Sequence, residues 1–190
     1  MSLPLLHKRI TDEKLVIELI SSREPELFGE LYDRYADKVF NKCSGFAIDL
    51  QEAEDLTKDI FLLLYIKIGS FQGRSKFSTW LYSFVYNFCV NHVNRNKYRK
   101  MKDSSRSFEE GDGNPLQEIP DSSLFELKSQ KLKKALDQIE PEDKSILLLK
   151  YQDDATIKEL MALLQIGESA VKMRLKRAKN KVVNAYHNLK

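Results

Sequence analysis

Apolar residues recur along this chain at the three- and four-residue intervals of helix faces, with no run showing the alternation of a half-buried strand. Residues 11 to 20 read as a short helix, with Thr11 as its opening residue. After the Ser21-Ser22-Arg23-Glu24 turn, Leu27, Phe28, Leu31, Tyr32, Tyr35, Val39, Phe40 and Cys43 form one broad stripe. That spacing predicts a helix to about Ala47, with Pro25 tolerated in its first turn. Asp49 followed by Glu52 has the spacing of a capping box and predicts a helix to Ile68, with Gly69 as its C′ residue. Its Ala53, Leu56, Ile60, Phe61, Leu64 and Ile68 face inward, leaving Glu54, Asp55, Lys58, Asp59, Leu62 and Lys67 outside. A loop with Gly73 spans Ser70 to Ser78. A further helix then carries Phe77, Trp80, Leu81, Phe84, Val85 and Phe88 on one face, and the front half is expected to pack as one domain around Trp80.

The second half repeats the pattern at smaller scale. Ser123 with Glu126 reads as a capping box ahead of Leu124, Leu127, Leu132, Ala135, Leu136 and Ile139. Pro141 starts a helix carrying Ile146, Leu147, Leu149 and Tyr151, and Asp153-Asp154 is a turn. Thr156 and Glu159 form another capping box, opening a short helix through Leu164. Gln165 to Ser169 is a tight connection containing Gly167, and a long basic helix runs from Ala170 to about Asn188. A short helix, a tight turn and a longer basic helix make the helix-turn-helix pattern. Val171, Leu175, Ala178, Val182 and Ala185 are its packed side. Lys172, Met173, Lys176, Arg177, Lys179 and Asn180 are expected to face outward, where the first of them would enter a major groove.

The expected fold is all-α. It comprises two small helical domains, 1–102 and 123–190, joined by a flexible acidic linker, 103–122. The linker assignment rests on a composition rich in Ser, Gly, Pro and acids. It is a tether, or an acidic mimic of a nucleic-acid strand lying in a basic channel.

Charge sharpens the picture. The net charge is only +3, but positions 95 to 102 hold five basic residues and no acid, and 103 to 126 hold seven acids and one base. From Gly167 onward there are seven Lys or Arg and one acid. Two basic zones around an acidic one suggest two contacts with a polyanion. On the helix after Phe77, Thr79, Tyr82, Ser83, Tyr86, Asn87, Asn91 and Asn94 fall off the apolar face, rings and amides able to stack on or hydrogen-bond to bases. Arg95, Lys97, Arg99, Lys100 and Lys102 follow. This combination suggests single-stranded nucleic acid. The charged face of the Asp49 helix reads, from charge alone, as a solvated surface.

Enzyme chemistry finds no support. There is no Gly-rich phosphate loop, no His-based nucleophile constellation and no acid cluster spaced for two metals. The three His and two Cys have no zinc spacing, and Cys43 and Cys89 are expected to be inert buried thiols. No cofactor is expected. The apolar run at 60 to 66 is too short to span a bilayer, and the N-terminus lacks a signal-peptide core. A cytoplasmic protein without direct membrane insertion is expected.

Four stretches in order, ELYDRYADKVF, AEDLTKDIF, FQGRSKFSTWLYSFVYN and AVKMRLKRA, resemble the extracytoplasmic-function group of the sigma-70 family of bacterial RNA polymerase sigma factors. The resemblance covers nearly the whole chain. It implies sigma region 2 in front and sigma region 4 behind, and a non-catalytic subunit that directs core polymerase to promoters. Partners implied are core polymerase at its β′ clamp and β flap, promoter DNA and an anti-sigma factor. Glu54, Asp55, Lys58, Asp59 and Leu62 would contact the clamp. Phe71, Arg74, Ser75, Lys76 and Asn87 would line a pocket for a flipped base of the −10 element, with Tyr82, Tyr86 and Asn91 beside it. Arg95, Arg99 and Lys100 would hold phosphates. Ser169, Lys172, Met173, Lys176, Arg177 and Lys179 would read the −35 duplex, and the linker would thread toward the active-site cleft and RNA exit path. Met161, Gln165 and Met173 depart from the family pattern, and Gln165 has poor access to positive φ. The alternative is a stand-alone helix-turn-helix regulator, which gives the aromatic, basic helix after Phe71 no purpose.

Overall fold

The computed structural model describes residues 10–102, 119–121 and 129–189, and among them every regular element is helical. In order these are α1 (Asp12–Ser22), α2 (Pro25–Cys43), α3 (Leu50–Lys67), a 3₁₀ turn (Ile68–Ser70), α4 (Phe77–Lys102), α5 (Ser129–Leu136), α6 (Pro141–Tyr151), α7 (Ile157–Leu164) and α8 (Glu168–Asn188). Internal contacts divide the chain into 1–89 and 90–190, so the division falls inside α4. The expected linker lies outside the described residues apart from 119–121, as does the Ser123–Glu126 capping box. No described helix is long and apolar enough to cross a membrane.

In the first unit, α1 to α3 and the start of α4 pool their apolar stripes into one core. Leu15, Leu31, Val39, Cys43, Ile60, Leu64, Phe77, Leu81 and Val85 are all fully buried there. Trp80 is not its centre. The indole is half-buried at the rim, stacked on Phe84 at 5.8 Å, while Phe77, Tyr35 and Tyr86 are the largest side chains fully enclosed. Position along the helix decides this. Phe77 is fully buried with its ring against Tyr35 of α2 at 5.6 Å, whereas Trp80, three residues on, is left half-buried beside the loop residue Phe71 at 5.5 Å. Cys43 and Cys89 are both buried, and a hydrogen bond from Cys89 holds the Cys43 thiol below the usual thiol range against the opposing effect of burial.

Three features of the helix ends in the first unit differ from expectation. First, α2 stops at Cys43 rather than near Ala47. Its final carbonyls are taken by tightened three-residue bonds, Gly45 N–H to Lys42 O at 3.1 Å and Phe46 N–H to Cys43 O at 2.9 Å, which turn the chain away. Second, Asp49 does cap α3, accepting from Glu52 N–H at 2.8 Å, but Glu52 reaches one residue further back, to Ile48 N–H at 2.6 Å. Third, α3 ends at Lys67 and closes through the 3₁₀ turn, with Phe71 N–H on Ile68 O at 3.0 Å. Gly69 therefore does not serve as a left-handed C′ residue; among the described residues the glycine with positive φ is Gly73, at 66° in the loop.

In the second unit α8 is the spine, with Val171, Leu175, Ala178 and Val182 buried against α5, α6 and α7 through Ala135, Ile146, Leu149 and Leu160. Thr156 and Glu159 close a complete capping box at the start of α7. The tight connection holds Gln165 at φ 55°, a left-handed conformation despite its side chain. By contrast α8 begins at Glu168, two residues earlier than the apolar pattern indicates.

Candidate functional site

The expected site residues fall on three surfaces. On α3, Glu54, Asp55, Lys58, Asp59 and Leu62 are all exposed. Their side follows from the core positions Ala53, Leu56, Ile60 and Leu64, which bury the opposite face. Lys58 pairs with Asp55 at 3.1 Å, an exposed i,i+3 pair of small energetic worth. The structure adds an apolar end to this face. Leu62 is 67% exposed and Ile66 69%, and Tyr65 stands beside them with its ring edge-on to Phe28 at 5.0 Å. Tyr32 of α2, also exposed, packs its ring on Phe61 at 4.6 Å. The sequence reading left out Tyr65 and Ile66, and placed Tyr32 in the apolar stripe of α2, where its ring is instead partly exposed. The signal was there in the Leu62–Ile66 pair, two aliphatic residues four apart on an otherwise charged side.

The second surface is the loop before α4 and the first turns of that helix. Phe71 is half-buried, its ring edge-on to Phe77 at 5.4 Å, so it anchors the loop rather than standing free. Arg74 and Lys76 are exposed, and Ser75 is half-buried with its hydroxyl donating to the Lys76 carbonyl at 3.2 Å. The first backbone N–H of α4, from Phe77, is taken by Glu13 of α1 at 3.0 Å, which ties the loop exit to the core. The polar side of α4 is narrower than the sequence suggested. Thr79, Ser83 and Tyr86 are buried, Tyr86 to 1% exposure. The reason is α2, whose Lys42 donates to the Tyr86 hydroxyl at 3.2 Å and closes this side. Tyr82 is half-buried and Asn87 is exposed.

Further along α4, Asn91, Arg95 and Arg99 are exposed, spaced by four, with Arg95 Nε donating to the Asn91 carbonyl at 3.4 Å. Lys100 is helical, and its side chain lies outside the described residues. Tyr98 is 70% exposed, a flat ring in the basic run that the sequence reading passed over. Its Tyr-after-Lys position in a cationic stretch was the available signal.

The third surface is α8. Ser169, Lys172 and Arg177 are exposed, Met173 is 45% exposed, and Lys176 is half-buried. Lys172 pairs with Glu168 at 2.5 Å and holds that carboxyl below the usual range. Two residues depart from the outward face. Asn180 is buried, its amide donating back to the Lys176 carbonyl at 2.9 Å. Lys179 is largely covered, donating to the Ile119 carbonyl at 2.8 Å and to Asp121 at 2.7 Å.

That pairing builds a latch. Asp121 also accepts from the Tyr151 hydroxyl at 2.8 Å, and beside it lies a cleft of about 430 Å³ lined by Lys150, Lys172, Lys176 and Leu175. Lys179, then Tyr151, hold the Asp121 carboxyl below the usual range, and burial, then Asp121, push the Tyr151 hydroxyl up. A folded-state pKa lowered in this way contributes fully above the unfolded value of about 3.9 and is lost as pH falls through the lower folded value. In an NMR titration the amide of Asp121 is therefore expected to keep its latched shift down to about pH 4 and to move below it. Asp121→Asn should show the released shift throughout.

The family description "Sigma-70 region 2" matches residues 31–99, and "Sigma-70, region 4" matches 129–182. Among curated proteins, the chain is similar to the ECF RNA polymerase sigma factor SigW of Bacillus subtilis, 27% identical over 86% of this chain and 90% of that protein. It is also similar to the ECF RNA polymerase sigma-E factor of Escherichia coli, 25% identical over 94% and 96%. Among solved structures, the sigma factor RpoE in complex with the anti-sigma factor NepR from Bartonella quintana shares its fold, with a TM-score of 0.58, 20% identity, and 86% and 98% of the two chains covered. CnrH in complex with the cytosolic domain of CnrY aligns with a TM-score of 0.55 and 17% identity over 94% and 99%.

Proposed function

This chain belongs to the sigma-70 family, as an RNA polymerase sigma factor of the ECF group, and we propose that its exposed faces divide the work of promoter recognition between them. The outer side of α3 docks on the polymerase β′ clamp. The loop from Phe71 with Tyr82 and Asn87 holds a melted −10 strand. Asn91, Arg95, Arg99 and Lys100 follow its phosphates. Ser169, Lys172, Met173, Lys176 and Arg177 read the −35 duplex, with Lys179 divided between DNA and the latch. The boundaries 1–102, 103–122 and 123–190 describe the working segments. The protein performs no catalysis of its own and acts in the cytoplasm with core polymerase. A stand-alone helix-turn-helix regulator is not favoured, because the region 2 match covers the front half that such a regulator leaves idle.

The observation that supports this reading most is the exposure of Asn87, Asn91, Arg95 and Arg99 at four-residue intervals on one helix. Amides followed by guanidinium groups suit base edges followed by phosphates. Tighter binding to open than to closed DNA then drives melting, since a ligand shifts an equilibrium only by its differential affinity. RpoE is in complex with the anti-sigma factor NepR and CnrH with the cytosolic domain of CnrY, and an anti-sigma factor is the proposed regulator here.

The test is transcription in vitro with bacterial core polymerase. The protein is expected to give transcripts from specific start sites. Asn87→Ala should slow open-complex formation about tenfold, the worth of one polar contact of about 1–1.5 kcal/mol, with closed-complex affinity unchanged. No core binding at micromolar protein would overturn the reading.

A further inference from the structure

We propose that Lys42 is a positioning residue for promoter opening: its ammonium, held between two α4 tyrosines, sets the ring of Tyr82 against an unpaired base of the melted strand. This rests on the proposed role of Tyr82 at the −10 element.

Lys42 sits in the last turn of α2, where its neighbours Val39 and Cys43 are core. It is itself only 7% exposed. A lysine so enclosed is unusual, because burying an ammonium is costly unless its charge is compensated. Aromatic rings supply part of that compensation. The Nζ lies 3.9 Å from the centroid of the Tyr82 ring and 5.2 Å from that of Tyr86, and donates to the Tyr86 hydroxyl. At 3.9 Å, in a site withdrawn from water, the cation–π attraction is at the strong end of its range.

The contact continues a ladder. Tyr35 meets Tyr82 edge-on at 6.2 Å, carries Lys38 over its ring at 5.0 Å, and donates its hydroxyl to Asp12 at 2.5 Å. Tyr82 is thus braced from α2 on two sides while staying half-exposed at the surface of α4. Bracing an aromatic ring before a base arrives removes the ordering cost from the binding step. A cation against one face also draws π-density toward itself, which favours stacking by an electron-rich base on the ring. Stacking on such platforms is tolerant of sequence and strong enough to favour open DNA over closed. Nothing in a merely structural lysine would distinguish those two states.

The experiment uses holoenzyme reconstituted with bacterial core, on a promoter mapped from the wild-type transcripts. Permanganate reactivity of unpaired thymines reports opening, and closed-complex affinity is measured at low temperature. Lys42→Met is expected to slow opening about fivefold with closed-complex affinity unchanged, and Lys42→Arg, which restores a cation over the ring, to recover most of it. Lys42→Gln keeps a donor for Tyr86 but no charge, and should open as slowly as Lys42→Met; it also serves if the methionine variant does not fold. Tyr82→Ala should slow opening, and adding Lys42→Met to it should cost nothing further. If Tyr82→Ala slows opening while Lys42→Gln opens like wild type, the role of Lys42 is overturned and the −10 reading stands. If Tyr82→Ala itself opens like wild type, the reading of Tyr82 fails, and the proposal with it.

Discussion

Leu62→Glu is expected to weaken assembly with bacterial core polymerase by about thirtyfold or more, the effect of losing a contact worth at least about 2 kcal/mol at the centre of an interface. Leu62 is 67% exposed in the free protein, so the change costs little folding energy. Around it Tyr65 and Ile66 complete an apolar patch, and Glu54, Asp55, Lys58 and Asp59 supply a charged rim toward the N-terminus of α3. An apolar centre with a polar border suits the docking role proposed for this face. A glutamate there places a charge where water is excluded on binding, which is worse than removing the leucine. Lys58→Ala, at the rim, should do far less. Affinity for fluorescent core polymerase, with circular dichroism showing an intact fold, checks both. Equal, small effects at the two positions would remove α3 from the docking surface.

Phe77→Ala should destabilise the first unit by about 3–5 kcal/mol, a large share of the roughly 5–15 kcal/mol by which domains are stable. The ring is fully buried, with Tyr35 at 5.6 Å, Phe71 at 5.4 Å and Trp80 at 5.9 Å around it. Truncation leaves a cavity lined by rings too large to collapse into it. Because Phe71 leans on Phe77, the loop carrying Arg74 and Lys76 loosens as well. Trp80→Ala should cost less, since its ring is only half-buried. Denaturant titration measures the comparison, and a larger loss at Trp80 would show that the rim, not the centre, holds the unit together.

That comparison shows how far the sequence could be read. Helix identity was legible wherever an apolar stripe ran long: α2, α3 and α8 are all present, with ends up to four residues from where their spacing indicated, and Thr156 with Glu159 closes the box its spacing promised. The centre of the core was not, because periodicity gives a face but not a depth. Trp80 shares a face with Phe77, yet it lies at the edge. Tyr86 and Asn180 show the same limit from the polar side. Each falls off the apolar stripe of its helix, and each is buried, Tyr86 by a lysine from another helix and Asn180 against its own backbone. Helix ends set by tightened bonds, as at Gly45 and Gly69, leave no mark in spacing at all.

The left-handed turn at Gln165 has a bearing on how such a protein diverges. A non-glycine residue there carries about 1–2 kcal/mol of backbone cost, so the turn is imposed by its surroundings, the Thr156–Glu159 box before it and the buried Leu160 and Val171 on either side. Met173 and Arg177 lie beyond it on α8, with exposed side chains. Exchanging those two exposed side chains is therefore expected to change what α8 presents at its surface while the angle between the two helices is kept.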